Sequence, residues 1–187
     1  VFATDGRFYT IGADKLPSGR GHGEPIRLMI DLANDEDIVC ILTHKPGEKL
    51  LVASTEGRGF LVPSDDVLAQ TRSGKQVLVL DDKAKARVCT PARGDTVAVV
   101  GSNRQLLIFD LVDLPEMGRG KGVILQRYKS GGTMADATVF TLEEGLSWQM
   151  GGGKTRTERE NIDRWRGKRA AAGKMPPNGF PRPPKFT

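Results

Sequence analysis

The chain has 187 residues, 38% of them hydrophobic, and it contains 23 Gly and 11 Pro. This composition favours many short strands joined by turns over long helices. No apolar run approaches the roughly 20 residues of a transmembrane helix, and the first residues lack the basic and apolar regions of a signal peptide. We therefore expect no transmembrane segment and a reducing, cytosolic setting.

The net charge of +5 is unevenly distributed along the chain. Residues 154–187 contain 10 Lys/Arg and 3 Asp/Glu, whereas residues 1–153 contain 18 Lys/Arg and 20 Asp/Glu. The basic character therefore belongs mainly to the C-terminal part. Elsewhere only local clusters of positive charge would attract an anionic partner.

An internal repeat is indicated, because the same order of features returns about every 46 to 53 residues. Each copy begins with a hairpin pattern, two short alternating strands around small turn residues. The four hairpins cover residues 1–10, 50–62, 97–109 and 146–156. The copies extend over residues 1–48, 49–95, 96–144 and, as a partial copy, 145–169. Residues 170–187 are predicted to form a basic, proline-rich C-terminal tail that packs on the array or extends from it.

A cluster of Gly with Lys or Arg follows each hairpin. The four clusters cover residues 18–23, 71–76, 117–122 and 165–169, and this alignment equates Gly21, Gly74, Gly120 and Gly167. A β-branched strand is predicted next, at 77–80 and 123–125, and a closing strand at 38–41, 87–89 and 138–140. A repeated unit of about four strands is typical of a propeller-like array, so the predicted fold class is all-β.

The fourth copy lacks a recognisable closing strand. Either the two ends of the chain complete one another's sheets, or the proline-rich tail covers an open edge. Cys40 and Cys89 occupy equivalent positions in two closing strands, which favours packing over a metal-binding or redox role. His22 and His44 show no ligand spacing with a cysteine, and we predict no metal site.

The blades resemble the β-pinwheel repeats at the C-terminal end of the A subunits of gyrase and topoisomerase IV. The loops Gly19-Arg20-Gly21-His22-Gly23 and Gly118-Arg119-Gly120-Lys121-Gly122 are similar to the Gly/Arg/Lys loops of those blades. The ending from Trp165 to Pro181 resembles the topoisomerase IV branch of the family. Gyrase carries a Gln-Arg-Arg-Gly-Gly-Lys-Gly box in its first blade, and no stretch here reproduces it.

The resemblance implies a DNA-binding and DNA-bending domain that presents duplex DNA to a strand-passage core for relaxation and decatenation. It implies no catalysis and no cofactor in this domain, with Mg²⁺ and ATP used elsewhere in the whole enzyme. The implied partners are duplex DNA, the remainder of its own A subunit, and through it the ATPase B subunit. The implied location is the cytoplasm, with the nucleoid, and peripheral membrane association of the whole enzyme is left open.

The chemistry of the Gly/basic loops suits the DNA backbone. Glycines let main-chain N–H groups approach phosphate oxygens, while Arg and Lys supply charge and displace counterions. Contacts limited to phosphates would read duplex geometry and bend rather than sequence. The predicted DNA contacts are Arg20, Arg72, Lys75, Arg119, Lys121, Arg166 and Lys168.

Three alternatives remain at this point. The array could be a protein-binding scaffold with incidental basic loops, the tail alone could bind nucleic acid as a flexible arm, or the chain could be a gyrase-type wrapping domain.

Two short patterns invite catalytic interpretations. Gly151-Gly152-Gly153-Lys154-Thr155 lacks the first Gly of a phosphate-binding loop, because Trp148 stands there. Arg127-Tyr128 follows the predicted strand at 123–125 and precedes a turn at residues 129–132, so Tyr128 is interpreted as a strand tyrosine and not as part of a DNA-cleaving pair.

Overall fold

The computed structural model describes residues 1–129 and 131–187, so Ser130 of the predicted 129–132 turn lies outside the described residues. The described chain is all-β and contains only short 3-10 helices beside its strands. The strands are β1 (Phe2–Ala3), β2 (Arg7–Phe8), β3 (Ile38–Cys40), β4 (Lys49–Ser54), β5 (Arg58–Pro63), β6 (Lys75–Gln76), β7 (Ala86–Pro91), β8 (Thr96–Gly101), β9 (Leu106–Asp110), β10 (Val123–Ile124), β11 (Met134–Phe140), β12 (Leu146–Gln149) and β13 (Thr155–Glu158). The 3-10 helices are Ala13–Lys15, Ile26–Leu28, Ser64–Val67, Leu111–Asp113, Gly151–Gly153 and Ile162–Trp165.

The predicted all-β fold is confirmed, and its four hairpins are present. β1 pairs with β2, β4 with β5, β8 with β9 and β12 with β13, all antiparallel. Gly6 and Gly57 occupy the first two turns with φ of +77° and +78°. Only glycine adopts this conformation at no steric cost, which explains their place between the alternating strands.

The sheets do not coincide with the sequence copies. The first sheet has the order β3-β1-β2-β6, the second β10-β5-β4-β7, the third β11-β8-β9, and the fourth contains β12 and β13. Thus β6 and β10, which follow the hairpins of the second and third copies, complete the sheets of the preceding copies. Our assignment of this strand to its own copy was therefore wrong.

The strand predicted at 77–80 was also placed too far along the chain. The paired residues are Lys75 and Gln76, and the N–H groups of Val77 and Leu78 both donate to the carbonyl of Gly6, at 3.2 and 3.1 Å. The chain therefore turns across the tip of the first hairpin instead of continuing along it.

The closing strands β3 and β7 lie on the edge opposite to the exchanged strand of their sheets, and β11 lies on the edge of the third sheet opposite to β9. Parts of all three line one central cavity of about 230 Å³, together with Phe186 and Thr187. We call the opposite edge, which carries β6 in the first sheet and β10 in the second, the outer edge. The sheets are thus arranged with their closing strands inward and their exchanged strands outward.

Apolar clusters between neighbouring sheets form the core. The first and second sheets enclose a cluster around Phe2 and Phe60, and the second and third sheets enclose one around Leu51 and Phe109. Alternate residues of β4 therefore contribute to different clusters, so both faces of this sheet are buried. Each sheet is stabilised by its neighbours, as the propeller-like pattern predicts.

Residues 170–187 take part in the core. Phe180 and Phe186 are buried with Trp148 in a cluster between the third and fourth sheets, and their rings lie 5.6 Å apart. The N–H of Gln149 donates to the carbonyl of Phe186 at 3.0 Å, which places the end of the chain beside β12. This segment covers the edge for which the fourth copy has no closing strand, and such packing is incompatible with a free basic arm.

Candidate nucleic-acid interface

The Gly/basic loops lie on the outer edges of successive sheets. β6 pairs with β2 through Phe8 and Lys75, and β10 pairs with β5 through Gly59 and Val123. In the third sheet the corresponding contact is made by Lys174, which lies opposite Leu106 on β9. Backbone pairing to a preceding hairpin therefore fixes the position of each loop.

Strand pairing sets a different register from the one that the sequence suggested. Gly74, Gly122 and Gly173 each precede the residue that pairs with the outer strand, with φ of +74°, +74° and +87°. The predicted alignment of Gly74 with Gly120 and Gly167 is therefore wrong. The alignment relied on spacing from the hairpin turns, which does not register the extra residues of the third and fourth loops.

These three glycines are required by a close approach of two backbones. A Cβ on Gly74 would lie 2.8 Å from the carbonyl O of Phe8, and one on Gly173 would lie 2.6 Å from that of Leu106. A Cβ on Gly122 would overlap the carbonyl of Gly59. The glycines of the loops thus have a structural task in attaching each loop to the neighbouring sheet.

Arg72 and Lys75 lie on the outer edge of the first sheet, and both are exposed. Arg72 donates to the carbonyl of Leu28 at 2.8 Å and forms an ion pair with Asp31 at 3.4 Å. Lys75 donates from Nζ to the carbonyl of Asp66 at 2.5 Å. Both cations are held against the surface while remaining open to water.

Arg119 and Lys121 lie in the loop that leads to β10, and both are exposed. Lys121 forms an ion pair with Asp81, in which each side chain retains 49% of its exposure. The loop is attached to the first sheet as well, because Gly120 accepts from the N–H of Val79 at 2.9 Å and donates to Val77 at 3.0 Å. This loop therefore bridges the outer edges of two sheets.

Arg166 and Lys168 lie beside the third sheet. Arg166 bridges to Ile108 of β9 and forms a 2.7 Å ion pair with Asp110. Lys168 is exposed in the turn that follows. The structure thus brings three of the four predicted basic clusters to equivalent edges.

Arg20 is separate from the other predicted contacts. It is exposed in a segment whose residues 12–25 are all exposed. Later loops pair with the hairpin of the preceding sheet, and the described chain has no hairpin before β1 that could receive this one.

The sequence did not single out four other arginines and lysines of this edge. Arg7 and Arg58 follow the hairpin glycines and donate to loop carbonyls, Arg7 to Ser73 at 3.2 Å and Arg58 to Gly122 at 3.3 Å. Arg169 donates to Ile124 at 2.6 Å, and Lys174 is exposed at the pairing position itself. The recurrence of Gly-Arg at positions 6–7 and 57–58 was the available signal for the first two.

The two patterns that resemble catalytic motifs lie at the tip of a hairpin and beside two hairpin turns. Gly151–Gly153 forms a 3-10 turn at the tip of the hairpin between β12 and β13, without the parallel strand and helix of a phosphate-binding loop. The ring of Tyr128 packs close to Gly57 and Gly101, next to two hairpin turns, and burial raises its pKa. Tyr128 lies after β10 and outside any strand, contrary to our interpretation.

The described residues contain no group of three or more His, Cys, Asp or Glu side chains that could hold a metal ion. Within the same residues, no helix is long and apolar enough to cross a membrane.

The middle of the chain matches a known protein family. Residues 48–87 and 95–141 match the family model described as the DNA gyrase C-terminal domain, beta-propeller. These ranges correspond to the second and third copies of the repeat.

Relatives cover the whole chain. The DNA topoisomerase 4 A subunit from Rickettsia bellii is 44% identical over 187 residues, which is 100% of this chain and 25% of that protein. The corresponding protein from Caulobacter vibrioides is 47% identical over 180 residues, covering 96% of this chain and 23% of that protein. The chain thus spans about a quarter of the length of the curated relatives that it matches.

A solved structure agrees with the fold. The E. coli ParC C-terminal domain superposes with a TM-score of 0.81 at 25% identity, covering 95% of this chain and 75% of that one. A gyrase A C-terminal domain superposes with a TM-score of 0.69 at 20% identity, covering 92% of this chain and 57% of that one, which supports the fold alone. Fold and matches together define a β-pinwheel domain. The chain belongs to the family of C-terminal domains of gyrase A and topoisomerase IV A.

Proposed function

We propose that the chain binds and bends duplex DNA as the C-terminal domain of a topoisomerase IV A subunit. The observation that carries this proposal is the repeated mounting of basic loops on equivalent outer edges of three successive sheets. The sequence relatives, which are named as A subunits of topoisomerase 4, favour this branch over a gyrase-type wrapping domain.

The ion pairs on the outer edge leave its cations available to phosphate. The pairs Arg72–Asp31, Lys121–Asp81 and Arg166–Asp110 retain a third or more of their side-chain exposure. Exposed pairs of this kind contribute about 0–1 kcal/mol. A DNA phosphate is a strong hydrogen-bond acceptor, and binding of a lysine or arginine to it releases counterions from the DNA. At low salt these cations therefore gain free energy when they exchange a carboxylate partner for a phosphate.

The arrangement of the loops suits a curved duplex. The closing strands of neighbouring sheets line one cavity. The outer edges of these sheets therefore point away from the cavity, each in a different direction. A duplex that touches several loops at once must bend, and the additional phosphate interactions offset the cost of deformation. In the whole enzyme the bent duplex would be presented to the strand-passage core for relaxation and decatenation, in the cytoplasm and with the nucleoid.

Binding and bending are separable in one set of experiments. Fluorescence anisotropy with a labelled duplex should give a slope of log affinity against log salt of about −4 to −5, as for four to six neutralised phosphates, with weak sequence preference. Energy transfer between dyes at the duplex ends should increase on binding. A slope near zero would contradict DNA binding, whereas normal binding without a change in transfer would contradict bending alone.

We also propose that the domain is noncatalytic and needs no cofactor. The raised pKa of Tyr128 opposes formation of the phenolate that attacks a phosphodiester, and the hydroxyl is enclosed beside two hairpin turns. The purified chain should neither hydrolyse ATP nor relax supercoiled DNA with Mg²⁺ present. Turnover that survives repurification would refute this proposal, and its loss on Tyr128→Phe substitution would assign it to that hydroxyl.

A further inference from the structure

Cys40 and Cys89 lie on two closing strands that contact each other, β3 of the first sheet and β7 of the second. Cys40 lies in β3 opposite Phe2, and Cys89 lies in β7 opposite Val52. Both are free thiols, both are partly exposed, and both pack against the apolar cluster that joins these sheets. Both cysteines also line the central cavity.

The two thiols differ in reactivity. A hydrogen bond from Cys89 lowers the pKa of Cys40, and the same hydrogen bond together with burial raises the pKa of Cys89. The thiolate is the nucleophilic form of cysteine, so Cys40 is the sulfur that reacts first.

We propose that Cys40 and Cys89 form a peroxide-sensitive dithiol that closes to a disulfide between β3 and β7. The Cys40 thiolate attacks one oxygen of a peroxide, the O–O bond breaks, and a sulfenic acid and one water form. The Cys89 sulfur then attacks the Cys40 sulfur, the S–O bond breaks, and the second water leaves with the Cys89 proton. Two thiols are oxidised by two electrons, and one peroxide is reduced to water.

A disulfide at this position would also affect how the first and second sheets are arranged. β3 belongs to the first copy and β7 to the second, so the bond would join two sheets whose outer edges carry Arg72, Lys75 and the loop around Lys121. A covalent link at the closing strands restricts the angle between these sheets. It also reduces the freedom of the unfolded chain, which raises the temperature of unfolding.

Oxidation of the reduced chain by dilute hydrogen peroxide tests the proposal. Intact-mass analysis should show loss of two hydrogens, peptide mapping should show Cys40 linked to Cys89 within one chain, and dithiothreitol should reverse both. The unfolding midpoint should rise by several degrees.

Two single substitutions test the order of events and serve as each other's controls. In the Cys89→Ser variant, oxidation should stop at a Cys40 sulfenic acid, which dimedone traps. The Cys40→Ser variant should react with peroxide at least about tenfold more slowly than the wild-type chain. Circular dichroism should confirm that both variants fold. If the wild-type chain is oxidised to sulfinic acids without an intramolecular link, or links only between chains, the proposal is wrong.

Discussion

Leu106 and Lys174 exchange a pair of backbone hydrogen bonds, with N···O distances of 2.7 and 2.9 Å. Lys174 therefore occupies, on the third sheet, the position that Val123 occupies on the second and Lys75 on the first. The segment around Lys174 therefore takes the exchanged-strand position of the third sheet. The boundary expected at residue 169 falls inside this loop.

Deletion of residues 170–187 is predicted to abolish cooperative unfolding. It removes Phe180 and Phe186 from the cluster around Trp148, and truncation of one buried Phe alone costs about 3–5 kcal/mol. Thermal denaturation followed by circular dichroism measures the effect. The double substitution Arg182→Ala and Lys185→Ala removes exposed tail charge and should leave the unfolding midpoint unchanged. A truncated chain with a sharp, nearly unshifted transition would contradict the structural role of this segment.

Substitution of Gly122 by Ala is predicted to destabilise the domain by several kcal/mol more than Gly23→Ala. Both glycines have φ of +74°, so both substitutions carry the same backbone strain, about 1–2 kcal/mol. Only at Gly122 would the new methyl group overlap the backbone of Gly59, whereas nothing lies within 4 Å of a Cβ at Gly23. Urea denaturation of the two variants gives the comparison, and equal losses would disprove the close approach of loop and sheet.

The hairpins and closing strands were predictable because period-two alternation and turn glycines are local signals. Strand exchange was not, since pairing of β6 with β2 or of β10 with β5 leaves the pattern of either strand unchanged. The structural part played by Phe186 was hidden for a similar reason. A proline-rich, basic stretch has the composition of a tail, and only its distant contact with Gln149 shows that it covers an edge.

The sequence identified the basic clusters of the candidate site, but it did not give the correct alignment of the loops with one another. The clusters around Arg72, Arg119 and Arg166 do lie on outer edges, but the loop glycines that correspond are Gly74, Gly122 and Gly173. Ion pairing was also invisible in the sequence, because Asp81 and Lys121 are far apart along the chain.

Removal of the Asp81 carboxylate is predicted to strengthen DNA binding. Asp81→Asn releases Lys121 from its ion pair, which is worth about 0.2–1 kcal/mol, and therefore raises affinity by roughly 1.5- to 5-fold. Asp82→Asn is the matched control, because it removes one neighbouring exposed charge without releasing Lys121. Anisotropy titrations at one salt concentration compare the two. Equal effects would show that general charge, and not release of Lys121, controls affinity.

Replacement of Arg119 and Lys121 together by Ala is predicted to weaken binding and to make the salt slope shallower by about 2. Both side chains are exposed, so stability should be unaffected. The control variant Lys45→Ala with Arg93→Ala removes the same charge from turns outside the Gly/basic loops. The interface assignment fails if the control loses as much affinity and slope as the loop variant.

Amide hydrogen exchange with and without a saturating duplex tests the central claim most directly. DNA bound along the outer edges should slow exchange in the loops at residues 71–76, 117–122 and 166–174, and should leave the closing strands β3, β7 and β11 unchanged. The slowing should disappear at high salt, because contacts to phosphates depend on counterion release. Protection confined to residues 175–187, or found on the closing strands while the three loops exchange at their free rates, would contradict the account.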